Sequence, residues 1–246
     1  MEPELTVGVL GGLGPEATLD FFAKVLALSG ARTDQEHLHL IVDNNPKVPN
    51  RNDAVAGRGP SPGPFLAAMA RGLEAAGADF LVMPCNTAHA FAPEIRAATR
   101  LPFVSLIDET SDALAAGFPG LRRVGVLAAG GCREARLYET ALAARGLVPV
   151  TLDDTRQAGF MALIYAIKAG ERDARIKAGM RELGEGLIGL GAEAVVAACT
   201  EVPLVLAEGE LSRPLLDSTA VLAAATIAYA RRLKPLPVAP ALRAAG

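Results

Sequence analysis

Three segments of this chain occur twice, in the same order and at nearly the same spacing. That repetition limits the fold more than any other feature. Val7-Gly-Val-Leu-Gly-Gly is matched 117 residues later by Val124-Gly-Val-Leu-Ala-Ala. Ala76-Gly-Ala-Asp-Phe-Leu-Val-Met-Pro-Cys85-Asn-Thr is matched by Leu190-Gly-Ala-Glu-Ala-Val-Val-Ala-Ala-Cys199-Thr, with the cysteines 114 residues apart. Leu101-Pro-Phe-Val-Ser-Leu-Ile-Asp is matched by Arg213-Pro-Leu-Leu-Asp, with the prolines 112 residues apart. Offsets this steady point to two copies of one unit, and 246 residues are enough for both.

Each copy reads as α/β. Short apolar runs at Val7–Leu10, Leu38–Val42, Phe80–Met83, Phe103–Ile107, Val124–Leu127 and Ala194–Ala197 suit buried parallel strands. Helical stretches at Ala17–Leu28, Pro64–Ala76, Pro93–Thr99, Arg133–Ala144, Ala174–Leu190 and Ser218–Ala230 alternate with them. The expected fold is therefore two pseudo-symmetric Rossmann-like domains whose parallel sheets face a central cleft. The division expected is 1–105 plus 216–233 for the first domain and 106–215 for the second, with the end of the second copy handed back to the first. Residues 234–246, rich in Pro and Ala, read as a loose tail.

The chemistry concentrates where the copies match. Both Cys85 and Cys199 would stand at carboxyl ends of strands, where open α/β sheets place their ligands. A thiol between a strand end and a helix start meets backbone N–H groups and the positive end of the helix dipole, which favours thiolate. Asn86, Thr87 and Thr200 follow the two cysteines and can bind a carboxylate there. Two thiols on opposite walls of one cleft can remove a proton from one face of a carbon and return one to the other. Glu201 either orients the Cys199 thiol or sits as an ordinary acid at a helix start.

Two loops complete the candidate site. Gly11-Gly12-Leu13-Gly14-Pro15 follows the first strand and allows close backbone approach to a small anion, but it lacks the GxGxxG spacing of a dinucleotide site. Asn50 and Arg51 lie in a polar loop after the second strand, and Arg51 can grip a carboxylate bidentately. Cys132 lies in the matching loop of the second copy, either as a third thiol near the site or as a small filler. His37, His39 and His89 are too scattered to hold a metal.

Bulk properties set further limits. A net charge of −3 with no basic run gives no reason to expect nucleic acid as a partner. The longest uncharged apolar stretch near the end, Ser218–Ala230, is shorter than the ~20 residues needed to span a bilayer. The acidic start lacks the features of a signal peptide. Three cysteines without CxxC spacing suit a reducing, cytoplasmic setting.

With these motifs in place, the chain resembles the cofactor-independent aspartate/glutamate racemase superfamily, most of all its aspartate racemase branch. The specific part is the Cys85-Asn-Thr and Cys199-Thr-Glu pair. Gly11–Thr18, Asp34-Gln-Glu-His37, Asn44–Arg51, Ile107-Asp-Glu-Thr110 and Tyr165-Ala-Ile-Lys168-Ala-Gly support the branch. The resemblance implies that Cys85 and Cys199 act as an acid–base pair with no cofactor. It implies that Arg51 and Lys168 bind the substrate's side-chain carboxylate, and that Asn86, Thr87 and Thr200 hold its α-carboxylate or α-amino group. Gly12 and Asn50 would line the substrate side of their loops, and a homodimer is implied. The chain departs from the pattern twice. Asn50 stands where the motif usually has Asp, and Ala129-Gly-Gly-Cys132…Ala135 replaces a hydroxyl-rich Thr-Gly-Thr…Ser stretch. The reaction expected is therefore L/D-aspartate interconversion. The alternatives are a sister racemase acting on another acidic or a broader range of amino acids (glutamate, broad-specificity or hydantoin), or a two-domain cleft that binds a small molecule without turnover. A decarboxylase would keep only one of the cysteines. A redox role through a Cys85–Cys199 disulfide would need Cα atoms within about 7 Å.

Overall fold

The computed structural model describes residues 3–238. The first copy runs β1 (Val7–Gly11), α1 (Pro15–Leu28), β2 (Leu40–Asn44), α2 (Arg51–Val55), α3 (Gly63–Ala75), β3 (Phe80–Val82), α4 (Ala92–Ala98) and α5 (Leu106–Gly117). The second runs β4 (Arg123–Val126), α6 (Gly130–Glu134), α7 (Leu137–Ala143), β5 (Val148–Val150), α8 (Asp154–Lys168), α9 (Ala174–Gly189), β6 (Ala194–Ala197), β7 (Leu215–Asp217) and α10 (Ser218–Ala230). Two parallel sheets result, ordered β2-β1-β3 and β5-β4-β6-β7. In the first sheet Phe103 adds a single parallel bridge to Leu81, in the place β7 takes in the second.

The duplication extends to individual contacts. Gly8 and Gly125 occupy matched positions in the central strands. A methyl group on Gly8 would meet Leu73, Ala78 and Leu81; on Gly125 it would meet Leu187, Ala192 and Val195, the same three positions of the second copy. Only glycine lets helix and sheet approach this closely. The Gly-Ala turns also agree: Gly77 and Gly191, just past the ends of α3 and α9, both adopt φ of 94°. That left-handed geometry closes a helix C-terminus at little cost for glycine. The acidic residue next in line ties each turn back to its central strand, Asp79 Oδ2 accepting from Thr6 N at 2.7 Å and Glu193 Oε2 from Arg123 N at 3.0 Å.

Three sequence expectations change. Phe103–Ile107 is not a strand beyond its single bridge, because Ser105 caps a helix at that point, its Oγ accepting from Asp108 N at 3.2 Å. Arg133–Ala144 is not one helix: Arg136 at φ 52° divides it into α6 and α7. The tail expected at 234–246 is anchored at its start. Lys234 Nζ lies 2.6 Å from Glu109 Oε2, and Leu236 packs on the core. Residues 239–246 lie outside the described part.

The two copies are interleaved. α10, at the end of the second copy, packs on α1 of the first, while α5 packs on both α10 and α7. The central core accordingly mixes Val7, Phe21, Phe80 and Val82 with Val124, Tyr138, Val196, Leu222 and Tyr229. Separate clusters sit under each sheet, around Leu66, Leu81 and Met83 in one copy and around Phe160, Ile164 and Met180 in the other. Among the described residues no helix is long and apolar enough to cross a membrane.

Candidate active site

The carboxyl ends of both sheets meet at one pocket. β3 delivers Cys85, Asn86 and Thr87; β6 delivers Cys199, Thr200 and Glu201; Leu13 comes from the loop after β1 and Ala129 from the loop after β4. Arg51 and Asn52 at the start of α2, and Ile164 and Lys168 near the end of α8, close the sides. Between these side chains the space for solvent is about 30 Å³, room for roughly one or two waters. A larger ligand enters only if the lining side chains or the two copies move. Four wider hollows, the largest about 520 Å³, contain neither Cys85 nor Cys199.

Both thiols are buried and unpaired, so the described structure has no Cys85–Cys199 disulfide. Cys85 Sγ donates to the Leu13 carbonyl at 3.5 Å. Cys199 Sγ donates to Glu201 Oε2 at 3.0 Å. Burial, and then the Glu201 charge, push the Cys199 thiol well above the ordinary thiol range, with Lys168 opposing them. The thiolate-favouring helix dipole expected from sequence is not in place at Cys199, where the chain enters only the short 3₁₀ turn Val202–Leu204. After Cys85 a 3₁₀ turn, Thr87–Phe91, runs directly into α4.

Glu201 is the hub of the second wall. Its side chain is 6% exposed and accepts from Lys168 Nζ on one oxygen and from Cys199 on the other, with Thr200 Oγ1 at 3.5 Å. Burial alone would lower the Lys168 ammonium, but the Glu201 and Cys199 charges outweigh it and the net shift is upward. On the first wall, Arg51 donates to the backbone carbonyls of Val48, Pro49 and Leu13 at 3.1, 3.0 and 2.7 Å, tying the α2 loop to the glycine loop. Asn86 is gripped by Tyr138 and Ser218 from the second copy. His89 fixes the turn that carries Cys85. Its Nε2 accepts from Leu106 N at 3.0 Å, so its Nδ1–H donates to the Cys85 carbonyl at 2.8 Å. Burial lowers its pKa to about 4, which keeps the ring neutral.

The pocket thus gathers Cys85, Cys199, Arg51, Asn86, Thr87, Lys168, Thr200 and Glu201, but not the other three residues singled out from sequence. Gly12 has φ of 83°, and its Cα abuts the Asn45 backbone, where a methyl group would fall 2.4 Å from N. It shapes the loop. Asn50 is exposed and caps α2, its side chain accepting from Asn52 N at 2.9 Å. Cys132 is fully buried in the central core, and burial followed by Glu139 pushes its thiol up. Sequence reasoning missed Asn52, whose Oδ1 accepts from Gly131 N at 2.9 Å and joins the two copies beside the pocket. At one position of the altered loop the structure shows a close approach: a methyl on Gly131 would lie 2.9 Å from Thr87 Cγ2 and 3.0 Å from Asn52 Cα, so a side chain there would force these neighbours to shift. Among the described residues no group of His, Cys, Asp and Glu is arranged to hold a metal.

Comparison with known proteins agrees with this geometry. The family model for Asp/Glu/Hydantoin racemases matches residues 10–226. The chain belongs to that family. Among solved structures of the family, Picrophilus torridus aspartate racemase superposes with a TM-score of 0.80 at 30% identity, covering 92% of this chain and 94% of the other. An aspartate racemase homologue from Pyrococcus horikoshii OT3 gives 0.74 at 25% identity, covering 92% and 99%. The broad specificity amino-acid racemase RacX of Bacillus subtilis (strain 168) is 29% identical over 225 residues, 90% of this chain and 96% of RacX.

Proposed function

We propose that this racemase-family protein interconverts L- and D-aspartate by direct proton transfer at Cα, with Cys85 and Cys199 as the two transfer groups and no cofactor. The observation that carries this reading is that two buried thiols at equivalent positions of a duplicated fold line one narrow pocket. One thiolate takes the Cα proton and becomes a thiol while the opposite thiol protonates the other face and becomes a thiolate, so proton and charge balance. The Cys199 S–H is held against a carboxylate and the Cys85 S–H only against the Leu13 carbonyl, so Cys85 is the thiol that gives up its proton to start the cycle as base, with Cys199 as the donor.

Charge supports an acidic substrate. The pocket brings two cations, Arg51 and Lys168, to one site, where Glu201 already pairs with Lys168 and Arg51 has no carboxylate partner among the described residues. Arg51 and Lys168 would receive the side-chain carboxylate, and Asn86, Thr87 and Thr200 the α-carboxylate and amino groups. Fixed donors in a water-excluded site are what a carbanion-like transition state needs when no cofactor carries the charge. A broader amino acid range is the second reading. It is favoured by the RacX relative and by the loss of hydroxyls at Ala129–Cys132. The protein would work in the cytoplasm as a homodimer. The apolar stripe of Leu19, Phe22 and Leu26 along α1, 68, 39 and 40% exposed, suits such a contact.

The test is proton NMR in D2O with L-aspartate, L-glutamate and neutral amino acids in turn, with chiral analysis of the product. Loss of the Cα–H signal with appearance of the D-enantiomer, abolished in both Cys85→Ser and Cys199→Ser, is the expected result. Full racemisation in either variant refutes the two-thiol mechanism. Tight binding without exchange would make the cleft a binding site only.

A further inference from the structure

Asn86 lines the pocket on the Cys85 wall, yet its side chain is held by the other copy. Its Oδ1 accepts from the Tyr138 hydroxyl at 2.7 Å, and its Nδ2 donates to Ser218 Oγ at 3.3 Å. Ser218 gives its only hydroxyl proton to the Ala197 carbonyl at 2.7 Å, so towards Asn86 it can only accept. Tyr138 is fully buried on α7, and burial pushes its phenol far above the ordinary range, so it remains a donor. Ser218, able only to accept, fixes the amide nitrogen on its side, and the Tyr138 hydroxyl then donates to the oxygen. One amide proton goes to Ser218. The other has no acceptor among the described residues, on a side chain that lines the pocket.

We infer that Tyr138, assisted by Ser218, is a positioning residue that locks the Asn86 amide so that it offers N–H, and not C=O, to a substrate carboxylate. The inference rests on the racemase reading for what binds there. A flipped amide would turn a partial negative charge towards an anion, set two oxygens against each other at Ser218, a buried mismatch, and lose the hydrogen bond that the Tyr138 hydroxyl now donates. The lock is one-sided. The position matching Asn86 in the duplication is Thr200, whose hydroxyl lies 3.5 Å from Glu201 and, able to donate or accept, needs no such clamp. Tyr138 belongs to the second copy and Asn86 to the first, while Ser218 starts α10, which packs on α1 of the first copy, so the Tyr138 half of the lock is the one that depends on the two copies being together.

A double-mutant cycle of Tyr138→Phe and Asn86→Ala tests this, with kcat/KM for Cα–H exchange on the best substrate as the readout. Tyr138→Phe alone is expected to lower kcat/KM by roughly tenfold, mainly through KM. In the Asn86→Ala background it should change nothing beyond twofold. Equal losses in both backgrounds overturn the proposal. Ser218→Ala should reproduce the pattern, which covers the case in which Tyr138→Phe folds poorly. A second readout needs no turnover: exchange of the Asn86 side-chain amide protons with solvent, assigned by their loss in Asn86→Ala. Exchange at least ten times faster in either variant supports the lock, and unchanged exchange overturns it. A wild type that exchanges no Cα–H would count against the racemase reading alone and leave the amide result standing.

Discussion

Two glycines of the same loop should fail in opposite ways when each is given one methyl group. Gly12 sits at φ 83°, and its added Cβ would lie 2.4 Å from Asn45 N and 2.5 Å from Asn45 C. Both obstacles are main chain, and the conformation itself costs an L-residue about 1–2 kcal/mol. Overpacking against backbone adds about 1–3 kcal/mol. Gly12→Ala should therefore cost about 3 kcal/mol or more, a Tm loss of roughly 6–12 °C for a chain of this size. Gly14 is different. Its φ of −119° and ψ of 132° suit alanine. The new Cβ would lie 2.9 Å from Glu201 Oε1 and 3.3 Å from Lys168 Nζ, so the end of the Glu201 side chain must retreat by about half an ångström to reach ordinary contact. Relief of glycine's unfolded-state entropy returns about 0.4–1 kcal/mol, so stability should hold to within about 1 kcal/mol. Activity should not, because Glu201 sets the Cys199 proton, and small misplacements at a reacting group cost rate steeply. A loss of roughly tenfold is expected. Urea unfolding and Cα–H exchange on the same two proteins decide it. A fully stable Gly12→Ala, or a stable and fully active Gly14→Ala, refutes the assignment of one glycine to backbone shape and the other to clearance around the ion pair.

Further outcomes follow from the same geometry. The folded pKa of His89, about 4, lies below its ordinary 6.5, so between these values the unfolded chain binds more protons. Its contribution is complete above pH 6.5 and is lost as pH falls towards 4, by up to about 3 kcal/mol. Urea titrations across that range should show the slope in wild type and a flatter one in His89→Gln; identical slopes count against it. Lys168→Met leaves the Glu201 carboxylate buried without its cation, which should cost about 3 kcal/mol, the low end for a broken buried pair because Lys168 is partly exposed. The double change with Glu201→Gln should regain most of that loss in chemical denaturation, and no recovery would mean that packing rather than charge is at stake. Phe22→Glu on α1 should convert a dimer to a monomer in light scattering; a wild-type monomer, or a variant that stays dimeric, rules out that face.

Closure links these effects. The pocket is smaller than the proposed substrate, and contacts between the copies cross it: Gly131 N to Asn52 Oδ1, Tyr138 to Asn86, and an exposed Arg172–Glu16 pair at 2.5 Å. The last is worth at most about 1 kcal/mol, being solvated and screened. The buried polar contacts are the ones that opening must break, and they include the residues that would orient the substrate. Substrate entry, pocket desolvation and alignment of the donors are thus coupled by construction.

What the chain determines locally could be read without coordinates. The paired offsets reappear as matched glycine cradles at Gly8 and Gly125 and matched turns at Gly77 and Gly191, because a glycine demanded by steric contact or by positive φ leaves a mark at its own position. The two cysteines were legible for the same reason: each follows a buried apolar strand, and strand ends are where α/β sheets expose chemistry. Elements with weaker local signals were not. α8, with apolar residues spread around it, carries Lys168, and only the family resemblance had pointed to that residue; β5 and β7 have three residues each. Tertiary structure alone decided which polar side chains line the pocket and which serve only the fold. Gly12, Asn50 and Cys132 lie in motifs as suggestive as those of Arg51 and Asn86, yet they satisfy backbone, helix cap and core. Asn52, His89, Tyr138 and Ser218 acquire their parts through partners 79, 17, 52 and 132 residues away in the chain. A hydrogen bond is defined by distance and direction in space, and no local pattern records a partner that the fold brings from so far along the sequence.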